Sequence, residues 1–173
     1  MLLQHQIDSR LKGAQRATVA ARLAIIYLMD RKPAAAVQAL RTTRLPELPY
    51  HIKRARSLLE ARALSDLSRT DLALDIVGAE TGPDVDRLTA DIQWQGRRWR
   101  AAGETYERIL GERWKLRDEL SDSERADIVR AAIAYALATA CFIGCYTVVD
   151  GMGARLSGNV LGYVGASFVL DGV

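Results

Sequence analysis

Through residues 17–30, ATVAARLAIIYLMD, apolar side chains return every three or four positions, so that Val19, Leu23, Ile26 and Tyr27 fall on one broad helical stripe. DRKP interrupts the stripe, with Pro33 suited to a first helical turn, and AAAVQALRTT resumes it. RLPELP at 44–49 closes the pair, because Pro46 and Pro49 restrict both themselves and the residues before them. The same unit then recurs. Ala24, Tyr27, Ala36 and Leu40 have counterparts 37 residues on at Ala61, Leu64, Ala73 and Val77, and 29 further on at Ala90, Gln93, Ala102 and Tyr106. In each copy the two alanines stand twelve residues apart and the large residue follows the second by four. Small residues at matched positions let antiparallel helices approach closely, and the large ones fill the groove between them. LSRTD (67–71) and QGRR (95–98) take the turns. The pattern predicts an all-α chain of helical hairpins, each burying its face against the next.

Over residues 17–112 this pattern resembles the tetratricopeptide repeat family. Leu23, Ala24 and Tyr27 match its large–small–aromatic first-helix set, and Ala36, Ala73 and Ala102 match its second-helix small residue. Several positions depart from it. Glu60 stands where a large apolar residue is expected, Arg31 and Ser68 replace the inter-helix glycine, Gly96 comes one place early, and Gln93 replaces an aromatic. The resemblance implies a short solenoid of stacked hairpins serving protein–protein interaction, with first helices lining the concave face. On those helices Arg22, Arg62 and Arg87 are placed to meet an acidic or carboxylate group, for which a guanidinium supplies a planar donor fork. The family's carboxylate clamp of Lys and Asn is not intact here. Trp94 and Trp99, with Trp114 and Tyr106 nearby, read either as packing between hairpins or as anchors for a partner peptide.

Ser121 followed by Glu124 forms a capping-box signature, so a further helix is expected to start near Asp122. The chain divides here into a repeat domain, 1–120, and an apolar helical hairpin, 121–173. Charge marks the same division: residues 1–130 hold 23 of the 24 Lys and Arg and 19 of the 21 Asp and Glu. Ala131 to Val149 is a run of nineteen residues without a charge, close to the roughly twenty that a bilayer core of about 30 Å requires. DGMGAR is the expected hairpin turn, with Asp150 and Arg155 facing across it, and LSGNVLGYVGASFVL (156–170) the shorter second arm. Residues 136–173 resemble a piece of the drug/metabolite transporter superfamily, through Tyr146-Thr147-Val148-Val149-Asp150-Gly151, Gly153-Ala154-Arg155 and Leu161-Gly162-Tyr163. That resemblance implies membrane location rather than transport, since two helices do not enclose a pathway. Arg125 and Arg130 outweigh Arg155, which places the repeats on the cytoplasmic face if the run spans. The alternatives are a transporter-derived membrane fragment, or a wholly soluble α-solenoid capped by these two helices.

A formal net charge of +3, with Arg interleaved among acids, points away from a nucleic-acid footprint, which would concentrate cations on one face. The first thirty residues carry no apolar leader run. Cys141 and Cys145 are i,i+4 neighbours in the apolar run and make no metal site by themselves, while His5 and His51 stand singly. GMGARLSG lacks the lysine of a phosphate loop, and the serines lack a nucleophile-elbow context. The expectation is a binding module rather than an enzyme, with no cofactor, metal or small-molecule substrate, and a protein or peptide partner, acidic in character.

Overall fold

The computed structural model of this chain describes residues 11–171, which leaves His5 outside the described region. Helices α1 (Gly13–Met29) and α2 (Pro33–Thr42) form a first hairpin, α3 (Tyr50–Asp66) and α4 (Thr70–Val77) a second, and α5 (Pro83–Gln95) and α6 (Trp99–Leu110) a third. A 3-10 turn at Arg113–Lys115 leads to α7 (Asp122–Leu156) and α8 (Val160–Asp171). Consecutive helices pack together, and the first helices of successive hairpins also touch, α1 with α3 and α3 with α5. The described residues are therefore all-α, with hairpins stacked in solenoid fashion.

The spacing of small residues explains that packing. Ala24, Ala36, Ala61, Ala73, Ala90 and Ala102, the six alanines of the repeat, are all 0% exposed. Leu40, Val77 and Tyr106, four residues after the second alanine of each copy, are each 2% exposed. A methyl group at these points brings two backbones within reach of the side chain that fills the remaining groove.

The three inter-helix turns are one motif repeated. Arg31, Ser68 and Arg97 hold left-handed φ values of 54°, 59° and 57°. The amide after each donates back to the carbonyl of the matched first-helix residue: Lys32 to Tyr27 at 2.8 Å, Arg69 to Leu64 at 2.9 Å, Arg98 to Gln93 at 2.8 Å. This is the Schellman arrangement, which satisfies carbonyls that the helix end leaves free. The third copy thus keeps its register, and Arg97, not Gly96, occupies the left-handed place. Gly96 has a separate reason to lack a side chain: a Cβ there would lie 2.5 Å from Cγ2 of Thr70 at the start of α4.

Glu60, the charged intruder at an apolar repeat position, is 6% exposed. Its carboxylate accepts from Arg41 Nε and Arg44 Nη2, each at 2.9 Å. Gln93, in place of an aromatic, accepts from Thr105 Oγ1 at 2.8 Å. Both departures are compensated by hydrogen-bonding partners on neighbouring elements.

Helix α7 begins at the Ser121–Glu124 capping box, as its sequence predicts, with Glu124 also bound by Arg113 Nε at 2.6 Å. Its first turns belong to the solenoid core: Ala131 and Ala134 pack with Ala90, Ala102 and Tyr106. The ring of Tyr135 lies over Gly103, where a Cβ would come within 2.9 Å of it. Beyond Ala138 the helix leaves the body of the molecule.

The hairpin turn is not at DGMGAR. α7 runs unbroken for 35 residues through Gly151 and Gly153, and the chain turns at Ser157–Asn159. Glycine within a helix weakens it without breaking it, whereas Gly158 takes the left-handed φ of 65° that ends it. Asn159 Oδ1 then accepts the Gly162 amide at 3.1 Å, capping α8. Asp150 and Arg155 accordingly lie on the last turns of α7 and do not pair across a turn. Asp150 instead accepts the Tyr163 hydroxyl at 3.0 Å. The Tyr163 ring seats against Gly153, where a Cβ would be 2.4 Å away.

Candidate interaction surface

Arg22, Arg62 and Arg87 lie on the first helices of successive hairpins, and the three differ in what they do. Arg22 on α1 and Arg62 on α3 are exposed, and neither pairs with an acid among the described residues. Arg87 on α5 is taken up by the fold. Its guanidinium forks onto Asp127 of α7, with Nη1 donating at 3.1 Å and Nη2 at 2.8 Å. Asp127 is 2% exposed, and its hydrogen bonds raise the Arg87 pKa above its ordinary value. The pair locks α7 to the third hairpin and removes Arg87 from the free surface.

Trp94 and Trp99 are half-buried and pack edge to face, with ring centroids 5.3 Å apart and an 82° interplanar angle. Trp94 also meets Tyr106 edge to face at 6.5 Å. This geometry makes the pair a seam between α5 and α6. Trp99 retains one open side, in a shallow groove shared with Arg100, Glu104 and Ala138 of α7.

A second set of charges holds α3 and α5 in line. Arg54 forks onto Asp84 with both donors at 2.7 Å, and Tyr50 Oη donates to Glu80 at 2.9 Å. The Arg54 guanidinium holds the Asp84 carboxyl below its usual range. The Arg54–Asp84 fork joins successive first helices, and Tyr50 ties α3 to the linker that precedes α5.

No family model matches this chain, and no curated protein or solved structure matches it either. Among the described residues no three His, Cys, Asp or Glu side chains converge as a metal set. Cys141 and Cys145 are free and exposed on α7.

The other unusual surface is the distal half of α7 with α8. Among the described residues α7 is the one helix long and apolar enough to cross a bilayer, with a mean hydropathy of 1.9 over an 18-residue window of which 6% is buried. From Thr139 to Val149 every residue is exposed, on all sides of the helix, including Phe142 at 75% and Val149 at 66%. Thr139 and Thr147 turn their hydroxyls back onto the carbonyls of Tyr135 and Ile143, each at 2.9 Å. The sequence shows this run plainly. It does not show Asp127, Tyr135 or Tyr163, whose roles depend on which helix arrives opposite them.

Proposed function

We propose that this chain is a protein–protein interaction scaffold of tetratricopeptide-like hairpins, tethered at the cytoplasmic face of a membrane by the distal part of α7 with α8. The observation that supports the scaffold reading is the packing of successive first helices, on which Arg22 and Arg62 are exposed and pair with no acid among the described residues. Such a face suits an acidic peptide, to which two forked cations add charge-assisted hydrogen bonds. Fluorescence anisotropy against a panel of acidic and charge-neutralised peptides tests it. Arg22→Ala with Arg62→Ala is expected to weaken the acidic ligand about tenfold, with the melting temperature kept. Unchanged affinity removes this surface from consideration.

The tether rests on the exposure of residues 139–149 of α7 around the whole helix circumference. A groove or a partner helix covers one side of a helix, while lipid covers all of them. Nineteen helical residues from Ala138 to Leu156 rise about 28 Å, close to the hydrocarbon thickness. Arg155 at the far end has the reach to snorkel toward an interface. Helix α8, at twelve residues, rises about 18 Å and would fold back without crossing.

A second reading, a solenoid living wholly in water, is favoured by the way the first turns of α7 continue the stack on α6. On that reading the distal helices are covered by other copies of the chain. Liposome flotation of the full chain, compared with a chain ending at Ala138, separates the two. Co-flotation through a high-salt wash that is lost on truncation supports the tether. A full chain that stays in the aqueous phase as a defined oligomer, with a monomeric truncation, supports the soluble scaffold.

A further inference from the structure

The linker between the first two hairpins builds a pocket that the repeat pattern does not announce. Residues 43–49 fold over the start of α3 and enclose an open cavity of about 590 Å³, within the size range of small-ligand sites. Its apolar lining includes Leu45, Pro46 and Leu48. The lining also carries three cations, Arg44, Lys53 and Arg56.

Arg56 is the decisive residue. It is 7% exposed, yet its hydrogen bonds run to neutral acceptors: the carbonyls of Ala17 and Leu40 and the hydroxyl of Thr43. It ties α1, α2 and α3 together while its charge meets no carboxylate directly. Glu60 is the one acid lining the cavity, and it is already shared by Arg41 and Arg44. Among the described residues the cavity lining thus carries three cations, Arg44, Lys53 and Arg56, and one carboxylate. Burial, with Arg44 adding repulsion and Glu60 opposing both, pushes the Arg56 pKa below its ordinary value. A buried cation hydrogen-bonded only to neutral acceptors is costly, and an anion entering the pocket relieves part of that cost.

We propose that this pocket binds a small carboxylate carrying an apolar side chain, with the carboxylate against Lys53, Arg44 and Arg56 and the side chain against Leu45, Pro46 and Leu48. A free short-chain acid and the C-terminal residue of a peptide share this chemistry. The site is independent of Arg22, Arg62 and the distal helices.

Calorimetric titration of the full chain with hexanoate and with N-acetyl-leucine, each beside its uncharged amide, tests the proposal. Saturable binding of a carboxylate, at least about tenfold stronger than that of its amide, is expected. Lys53→Gln with Arg44→Gln should weaken it about tenfold, since both side chains are exposed and Arg41 still holds Glu60. Tighter hexanoate binding identifies a free acid, and tighter N-acetyl-leucine binding a peptide terminus. Equal binding of acid and amide overturns the site, as does a double variant, folded by its melting curve, that binds like the parent. Absence of saturable binding by either acid overturns it as well.

Discussion

At the scale of single residues, backbone conformation and burial make opposite demands on small side chains. Arg31, Ser68 and Arg97 occupy left-handed positions that cost a side-chain-bearing residue about 1 kcal/mol. Glycine at each should stabilise the fold by about 0.5 kcal/mol, the relief being reduced by the greater freedom of glycine in the unfolded chain. Urea midpoints of the three single variants check this. Gly96→Ala should move the midpoint the other way, because its Cβ collides with Thr70. Asp127 and Arg87 give an asymmetric pair. Arg87→Ala strands a carboxylate that is 2% exposed and should cost about 3 kcal/mol. Asp127→Ala should cost less, since the Arg87 side chain, 47% exposed, is free to reach water. Equal costs would show that the pair acts only as a contact and not through burial of the acid.

Between elements, the fork of Arg54 on Asp84 is the most directly testable contact, because it titrates. Asp84 binds its proton less readily in the folded chain than the ordinary value of 3.8. Its contribution is therefore present above that value and is lost as pH falls through the lower folded value. The Asp84→Asn variant should unfold at lower urea than the parent at neutral pH, and the difference should vanish once the pH has fallen below the lowered folded value. A gap independent of pH would assign the effect to packing. The capping box shows the other side of element formation. Ser121 and Glu124 stand in the sequence three apart, and the start of α7 follows from local chemistry alone.

For the whole molecule, the question is where α7 stops being core and becomes surface. Ala131, Ala134 and Tyr135 cover the end of the third hairpin, whereas the residues from Thr139 onward touch little of the solenoid. A chain ending at Arg130 should lose cooperative melting at the third hairpin, and one ending at Ala138 should retain it. Thermal unfolding by circular dichroism distinguishes them. Equal melting of the two would mean that the α6–α7 seam adds little to the stack.

Much of this architecture was legible in one dimension. Three helical hairpins, the six alanines at their crossings, the turns at 30–33, 67–71 and 95–98 and the start of α7 all follow from periodicity, proline and capping chemistry. These are local properties, in which a residue's neighbours along the chain are also its neighbours in space. The sequence also shows that 131–149 is apolar all round, because absence of charge needs no partner to be seen. What only the tertiary structure decided is how charged residues are spent. Arg22, Arg62 and Arg87 look alike on successive first helices, and only the arrival of Asp127, forty residues beyond Arg87, separates the third from the other two. Arg56 and Glu60 become a strut and a clamp because the helices and the linker preceding α3 in sequence close over them. The break after α7 likewise follows Gly158, not the glycines at 151 and 153, since a helix ends where the backbone turns left-handed and the next cap is ready. Electrostatic partners and helix ends of this kind depend on distances across the fold, and those distances exist only once the hairpins have stacked.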